Sequence, residues 1–299
     1  SIMLDVTGSM CADGNGPCTT STKMDAMKTA AKDLVDIVVW QDQSKKTSRV
    51  ALVPFSTRVR VEPDGQGGSV MKKLTGLDPT WSGWYDECQS WTGSGGGGGT
   101  SEGGGSSGSW TCTGGWVHKQ ATNWKVMPCV TDRFYNNGWQ FDSTDDKPST
   151  GAWLNAHDGG RFPLSADSSD TKLTSGTGKT SSDPASQWNY APWGVGGECA
   201  DITQPNLVMP LTSDKSALKN RIDALEAYGS TAGALGTAWA WYMLSPGWNS
   251  IWPGNDGAMP YALTKQKDTN GAPKLRKIAI LLTDGVYNTY RGWKDQDQK

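Results

Sequence analysis

The run Ile2-Met3-Leu4-Asp5-Val6-Thr7-Gly8-Ser9-Met10 leaves the beginning of this chain few folds to choose from. Three apolar residues that read as a buried strand run into an acid, and the turn after it carries two hydroxyls on either side of a glycine. Asp5 supplies a charged oxygen, Thr7 and Ser9 supply neutral ones, and Gly8 lets the backbone turn tightly enough to converge them. That is the chemistry of a hard-cation site. The same pattern also closes many α/β strands that hold no metal, so its meaning depends on what the rest of the chain brings to it.

Beyond this turn, strand and helix patterns alternate. After a loop, Cys11-Ala-Asp-Gly-Asn-Gly-Pro-Cys18, whose glycines and proline exclude helix, the stretch from Ser21 to about Gln41 repeats Met24, Met27, Ala31, Leu34, Val35 and Val38 at helical spacing. Ser21 or Thr22 is the N-cap. Arg49-Val-Ala-Leu-Val-Pro-Phe55 then reads as a strand buried on both faces, and Thr57 to Glu62 alternates as an edge strand paired with it. Pro54 places the first of these close to a sheet edge or at its own end. Strand, helix, strand is the opening of a doubly wound, Rossmann-like α/β sheet.

From about Pro63 to Pro205 the periodicity disappears. Of the sixteen tryptophans, Trp81, Trp84, Trp91, Trp110, Trp116, Trp124, Trp139, Trp153, Trp188 and Trp193 fall here, with both histidines and four of the six cysteines. The run from Gly93 to Ser109 is low-complexity and reads as a flexible surface loop. We expect an irregular insertion stapled by disulfides and tryptophan packing. No cysteine lies in a CxxC or at zinc-ligand spacing, which favours disulfides and an oxidising compartment. Many connectivities are open in principle. Proximity favours Cys11 with Cys18, then Cys88 with Cys112 and Cys129 with Cys199.

Regularity returns with a short apolar strand, Asn206 to Leu211, and a helix from Thr212 to Leu225 that buries Leu218, Ile222 and Leu225, capped by Thr212 or Ser213. The turn Tyr228-Gly-Ser-Thr231 opens into an apolar helix that ends at Leu244. Leu275 to Asp284 reads as a fully apolar strand ending, like the first, in an acid and then a glycine. The domain limits are therefore 1–62 and 206–299 for two parts of one domain, with 63–205 inserted between them. In open parallel sheets ligands gather outside the carboxyl ends of the strands. Asp5, Thr7, Ser9, Thr231 and Asp284 would then form one oxygen set suited to Mg²⁺, with Ca²⁺ or Mn²⁺ as alternatives.

The motifs DVTGSM, GSTAGALGTAW and ILLTDG resemble the three parts of the metal-ion-dependent adhesion site of von Willebrand factor A domains. PLTSDKSALKNRIDALEAYGSTAGALGTAWAWYMLSP and IAILLTDGVYNTY are similar to the TadG-like proteins of bacterial Tad (Flp) pilus assembly. The resemblance covers the opening elements and roughly residues 206–290. It implies metal ligands at Asp5, Thr7, Ser9, Thr231 and Asp284, and makes Cys129 and Cys199 family cysteines. It also implies a protein ligand offering an Asp or Glu carboxylate, either a pilus component or a second copy of the chain. The site of action would be extracellular, at the cell surface or in the periplasm of a bacterium. Two departures stand out. Thr7 replaces the common serine while keeping the hydroxyl, and the Cys11 to Cys18 loop interrupts the usual run into the first helix. The chain starts inside a strand and stops at Lys299, soon after the Asp284 strand. We therefore expect a processed product or fragment, with the last strands of the domain absent and any membrane anchor upstream.

Competing readings remain. The metal would serve structure alone, or the insertion's tryptophans would stack on sugars and make the chain a glycan-binding adhesin; buried aromatic packing is the plainer account of those rings. An enzyme is not expected. His118 and His157 lie in the insertion away from any nucleophile motif, no GxxxxGK[ST] loop occurs, and Asp132, Asp142, Asp145, Asp146 and Asp158 need be no more than solvated acids. The net charge of -2 gives no basic field for nucleic acid.

Overall fold

The computed structural model describes residues 1–12, 17–44, 47–56, 58–62, 204–252 and 257–285, together with residues 70, 73–74 and 144–146 and the strands of the insertion given below. In chain order the elements are β1 (Ile2–Asp5), α1 (Thr22–Val38), β2 (Val50–Phe55) and β3 (Val59–Arg60). The insertion contributes β4 (Thr80–Cys88), β5 (Trp91–Gly93), β6 (Trp110–Cys112), β7 (Trp116–Val126), β8 (Cys129–Val130), β9 (Phe134–Tyr135), β10 (Gln140–Phe141) and β11 (Leu164–Ser165). Then come β12 (Met209–Thr212), α2 (Lys215–Asp223), α3 (Gly233–Leu244), α4 (Ala262–Lys265) and β13 (Ile280–Leu282). They fall into two compact units. One holds Ser1–Val61, Ser143–Lys147 and Ile202–Tyr290, and the other holds Glu62–Asp142, Pro148–Asp201 and Arg291–Lys299.

The first unit is a mixed α/β sheet of four strands in the order β12-β2-β1-β13. The central strand β1 lies parallel to β2 and to β13, with Leu4 opposite both Pro54 and Leu282. β12 closes the far edge antiparallel to β2. β1 and β2 are buried along their whole length, as strands covered on both faces must be. α3 packs on β1 and β2, and α1 packs on α2. The core of α1 is Met24, Met27, Ala31 and Val35, and Ser21 Oγ caps it by accepting from Met24 N at 3.0 Å.

Several expectations need correction. The 57–62 segment does not pair with β2, because β1 and β12 already occupy both of that strand's edges. Ser56 N donates to Arg58 O at 3.1 Å, turning the chain off the sheet, and Arg60 instead bridges to Leu207. Pro54 sits one residue before the end of β2, beyond Leu52, the last partner of β12, where its missing N–H breaks no β12 bond. The strand after the insertion is Met209–Thr212; residues 204–206 form a 3-10 turn. α2 is capped by Asp214, whose Oδ1 accepts from Ala217 N at 2.9 Å, while Thr212 and Ser213 precede the cap. A charged acceptor at the cap position favours this choice. The strand before Asp284 is short and half-buried, and Ile278 is exposed. Lys274, Arg276 and Lys277 precede it, and Lys277 turns its ammonium to Leu244 O.

The described parts of the insertion include paired strands. β4 and β7 run antiparallel from Thr80 opposite Lys125 to Cys88 opposite Trp116, β11 adds to β7, and β5 pairs with β6. A register shift between Trp81 and Gly83 breaks the two-residue alternation, which hides this sheet from a periodicity search. Residues 94–109, the side chains of Cys88, Cys112, Cys129 and Cys199, and both histidine side chains lie outside what is described, as do Asp132, Asp142, Asp158 and residues 286–299. Among the described residues no helix is long and apolar enough to cross a membrane.

Candidate metal centre

Parallel pairing puts the carboxyl ends of β1 and β13 side by side, with Leu4 level with Leu282. Asp5 ends β1, and Thr283 and Asp284 come directly after β13. The consequence is a hydrogen-bonded run across two strands that are far apart in sequence. Asp5 Oδ1 accepts from Thr7 N at 3.0 Å and from Thr7 Oγ1 at 2.6 Å. Thr7 Oγ1 lies 3.0 Å from Ser9 Oγ, which donates to Asp284 Oδ1 at 2.9 Å. Four of the five expected ligands are thus joined through their side chains.

Backbone bonds bring in the fifth. Tyr228 N donates to Val6 O at 2.7 Å, Gly8 N donates to Gly229 O at 2.8 Å, and Ala232 N donates to Ser56 O at 3.0 Å. Gly229 has φ 86°, a conformation that favours glycine and turns its carbonyl toward the first loop. Thr231, buried in this loop, thus lies between a bond to the Asp5 to Ser9 turn, at Gly229, and a bond to the residue after β2, at Ala232. The Cys11–Cys18 disulfide reinforces the same junction. Cys18 and Ala227 exchange backbone bonds of 3.0 and 2.7 Å, so the small covalent loop clamps the first turn to the segment that carries Thr231.

Two residues of the site escaped the sequence reading. Thr283 Oγ1 donates to Asp5 Oδ2 at 2.5 Å, occupying the oxygen that Thr7 leaves open. Its signal was its position, a hydroxyl beside the acid at the end of the second strand. Lys23 Nζ donates to Asp284 Oδ2 at 2.5 Å and to Ser9 O at 2.9 Å. Here the signal was electrostatic. Lys23 stands in the first turn of α1, where the helix dipole disfavours a cation, and a nearby counter-anion offsets that cost.

The two acids differ in character. Asp5 is fully buried, and burial pushes its carboxyl above the usual range; hydrogen bonds from Thr283 and Thr7 oppose the shift, and the Asp284 charge adds to it. Desolvation also works on Asp284, but the hydrogen bonds from Lys23 and Ser9 and the Lys23 charge overcome it and hold this carboxyl below the usual range. A buried carboxylate that no cation among the described residues touches, next to a second acid and a row of neutral hydroxyls, is an all-oxygen donor set that fits a hard divalent cation. Among the described residues no three His, Cys, Asp or Glu gather to hold a metal, so this set has two acids and depends on hydroxyls for its remaining oxygens. Asp145 has a separate part: its backbone carbonyl accepts from Trp248 Nε1 at 3.0 Å and its carboxylate from Tyr261 OH at 2.5 Å. Comparison with protein-family models, with curated proteins and with solved structures returns no match to this chain.

Proposed function

We propose that the chain is a doubly wound von Willebrand factor A-type domain of the TadG-like class, and that it binds a protein partner through a divalent cation. The observation that carries this reading is the hydrogen-bonded run Asp5, Thr7, Ser9, Asp284, drawn from the carboxyl ends of adjacent parallel strands. Asp5, Thr7, Ser9, Thr231 and Asp284 would hold the ion, Mg²⁺ in the first instance. When bound, the cation supplies a coordination position that an Asp or Glu of the partner can fill. The chain's own part is to bury Asp5, to orient it through Thr7 and Thr283, and to present Ser9 and Asp284 toward solvent. Such a site binds and does not catalyse. The Cys11–Cys18 disulfide supports action outside the bacterial cytoplasm, at the cell surface or in the periplasm.

Isothermal titration of EDTA-treated protein with Mg²⁺ tests this. One ion per chain is expected, with binding lost in Asp5→Ala; a wild-type chain that takes up neither Mg²⁺, Ca²⁺ nor Mn²⁺ would end the proposal. Sedimentation in Mg²⁺ and in EDTA then asks whether the partner is a second copy. Glycan binding that survives EDTA and disappears in Trp81→Ala or Trp124→Ala would instead move function to the insertion, where these residues are register partners across β4 and β7.

A further inference from the structure

Lys23 takes up more of this site than a surface lysine should. Its ammonium spans two groups from different segments, Ser9 O at 2.9 Å and Asp284 Oδ2 at 2.5 Å. The other oxygen of Asp284 accepts from Ser9 Oγ at 2.9 Å, so both oxygens of the outer acid are already engaged. Each oxygen keeps a second lone pair, so a metal ion can reach Asp284 as a direct ligand, but it must share the carboxylate with whichever of these donors stay. Charge decides which. The Ser9 hydroxyl can turn its proton away and offer a lone pair to the ion, whereas an ammonium has only protons to offer and is repelled by the incoming charge.

The cost of moving Lys23 is low. Its side chain is 54% exposed, so the ammonium can rehydrate as it leaves the carboxylate. It also sits in the first turn of α1, where the helix dipole already works against a cation, and it leaves that position with little regret from the helix. Asp5 is different: its carboxylate oxygens are met by Thr7 and Thr283, not by the ammonium.

We propose that Lys23 is a resident counter-cation of this site: it holds Asp284 and Ser9 in the metal-free protein, is driven toward solvent by charge repulsion when a divalent cation binds, and so sets the affinity by competition. This rests on the metal-binding reading above and adds a regulatory element to it. Metal uptake and release of the first turn of α1 become one event.

The test uses the full chain in three forms, wild type, Lys23→Gln and Lys23→Arg, titrated calorimetrically with Mg²⁺ at low ionic strength. Lys23→Gln should bind about tenfold more tightly than wild type, with the gap narrowing in high salt, and Lys23→Arg should stay near wild type. A second readout is acylation of Lys23, tracked by peptide mass spectrometry, which should be slow in EDTA and faster in saturating Mg²⁺. If Lys23→Gln binds with wild-type affinity or more weakly, or if Lys23 acylation ignores Mg²⁺, the counter-cation is wrong while the metal site stands. If neither wild type nor Lys23→Gln binds a divalent cation, both proposals fall together.

Discussion

Gly236 is where the helix behind the site comes closest to the sheet, and replacing it by alanine puts numbers on that approach. A Cβ at this position would lie 2.7 Å from Cδ1 and Cγ of Phe55 and 3.2 Å from its Cδ2. Carbon atoms pack best at about 3.5 to 4.0 Å, so roughly 1 Å of overlap has to be removed. Phe55 is fully buried at the end of β2, opposite Asp5, so its ring must move within the core to make room. Two terms favour the alanine: about 1 kcal/mol from helix propensity and about 0.8 kcal/mol from burying a methyl. Overpacking of a tight core costs about 1 to 3 kcal/mol, and an aromatic ring held on all sides belongs at or above the upper end. The net expectation is a loss of about 1 kcal/mol. Urea unfolding of EDTA-treated protein should show a lower midpoint with an unchanged slope. Phe55→Leu in the Gly236→Ala background should cost less than in the wild type, since the two residues share one space. α3 also carries the loop of Thr231, through Gly236 N to Ala232 O at 3.2 Å, so Mg²⁺ affinity should fall with stability. A Gly236→Ala protein as stable as wild type would refute the close approach.

Asp5→Asn should abolish metal binding while stabilising the metal-free fold at neutral pH. Folded Asp5 holds its proton more tightly than an unfolded aspartate, so in EDTA its contribution favours the fold at low pH and is lost as pH rises through the raised folded value. The difference between wild-type and Asp5→Asn stability, measured by urea unfolding from pH 4 to 8 in EDTA, should carry that sign; saturating Mg²⁺ should flatten it for wild type. Replacing Cys11 and Cys18 together by serine opens a loop with a sequence separation of 7. Loop entropy alone makes that worth about 2 kcal/mol, and Mg²⁺ affinity should fall too because Ala227 loses its clamp; an unchanged affinity in calorimetry would separate the disulfide from the site. Asn206→Ala should cost about 1 to 3 kcal/mol in urea unfolding, because the buried amide accepts from Glu226 N at 3.0 Å and donates to Glu226 O at 2.7 Å.

Much of the first unit could be read from the chain because its signals are local. Buried strands β1 and β2, the helical spacing of α1 and the Ser21 cap are written in consecutive residues. The acid-and-hydroxyl turn was equally local, and Asp5, Thr7 and Ser9 are found hydrogen-bonded to one another and onward to Asp284. The features that were missed depend on partners distant in sequence. Whether β3 or β12 flanks β2 is settled by which edge is filled, and both candidates carry strand-like patterns. Lys23 looked like one more polar residue between core methionines, and only the placement of Asp284 gives it a role. In the insertion the signal itself is damaged: a shift between Trp81 and Gly83 changes the phase of the alternation, and glycine and polar residues within β4 and β7 supply no apolar face to count.

The scaffold of the site is fixed without help from a cation. Val6 N to Phe55 O, Gly8 N to Gly229 O, Tyr228 N to Val6 O, Ala232 N to Ser56 O and the paired bonds of Cys18 with Ala227 are all backbone bonds. None of them uses the side chain of Asp5, Ser9 or Asp284. Those side chains satisfy one another, so binding an ion should exchange side-chain partners and leave the loops in place. A message to the rest of the unit must then leave through the groups whose partners change, Ser9 and Asp284, and so through Lys23 and the start of α1. Amide hydrogen exchange checks this directly. Protection at Gly8, Tyr228 and Ala232 should be alike in Mg²⁺ and in EDTA, with changes confined to about the first turn of α1. Broad new protection across the Asp5 to Met10 turn on adding Mg²⁺ would mean that the cation builds the loop, and that the backbone bonds alone are too weak to hold it.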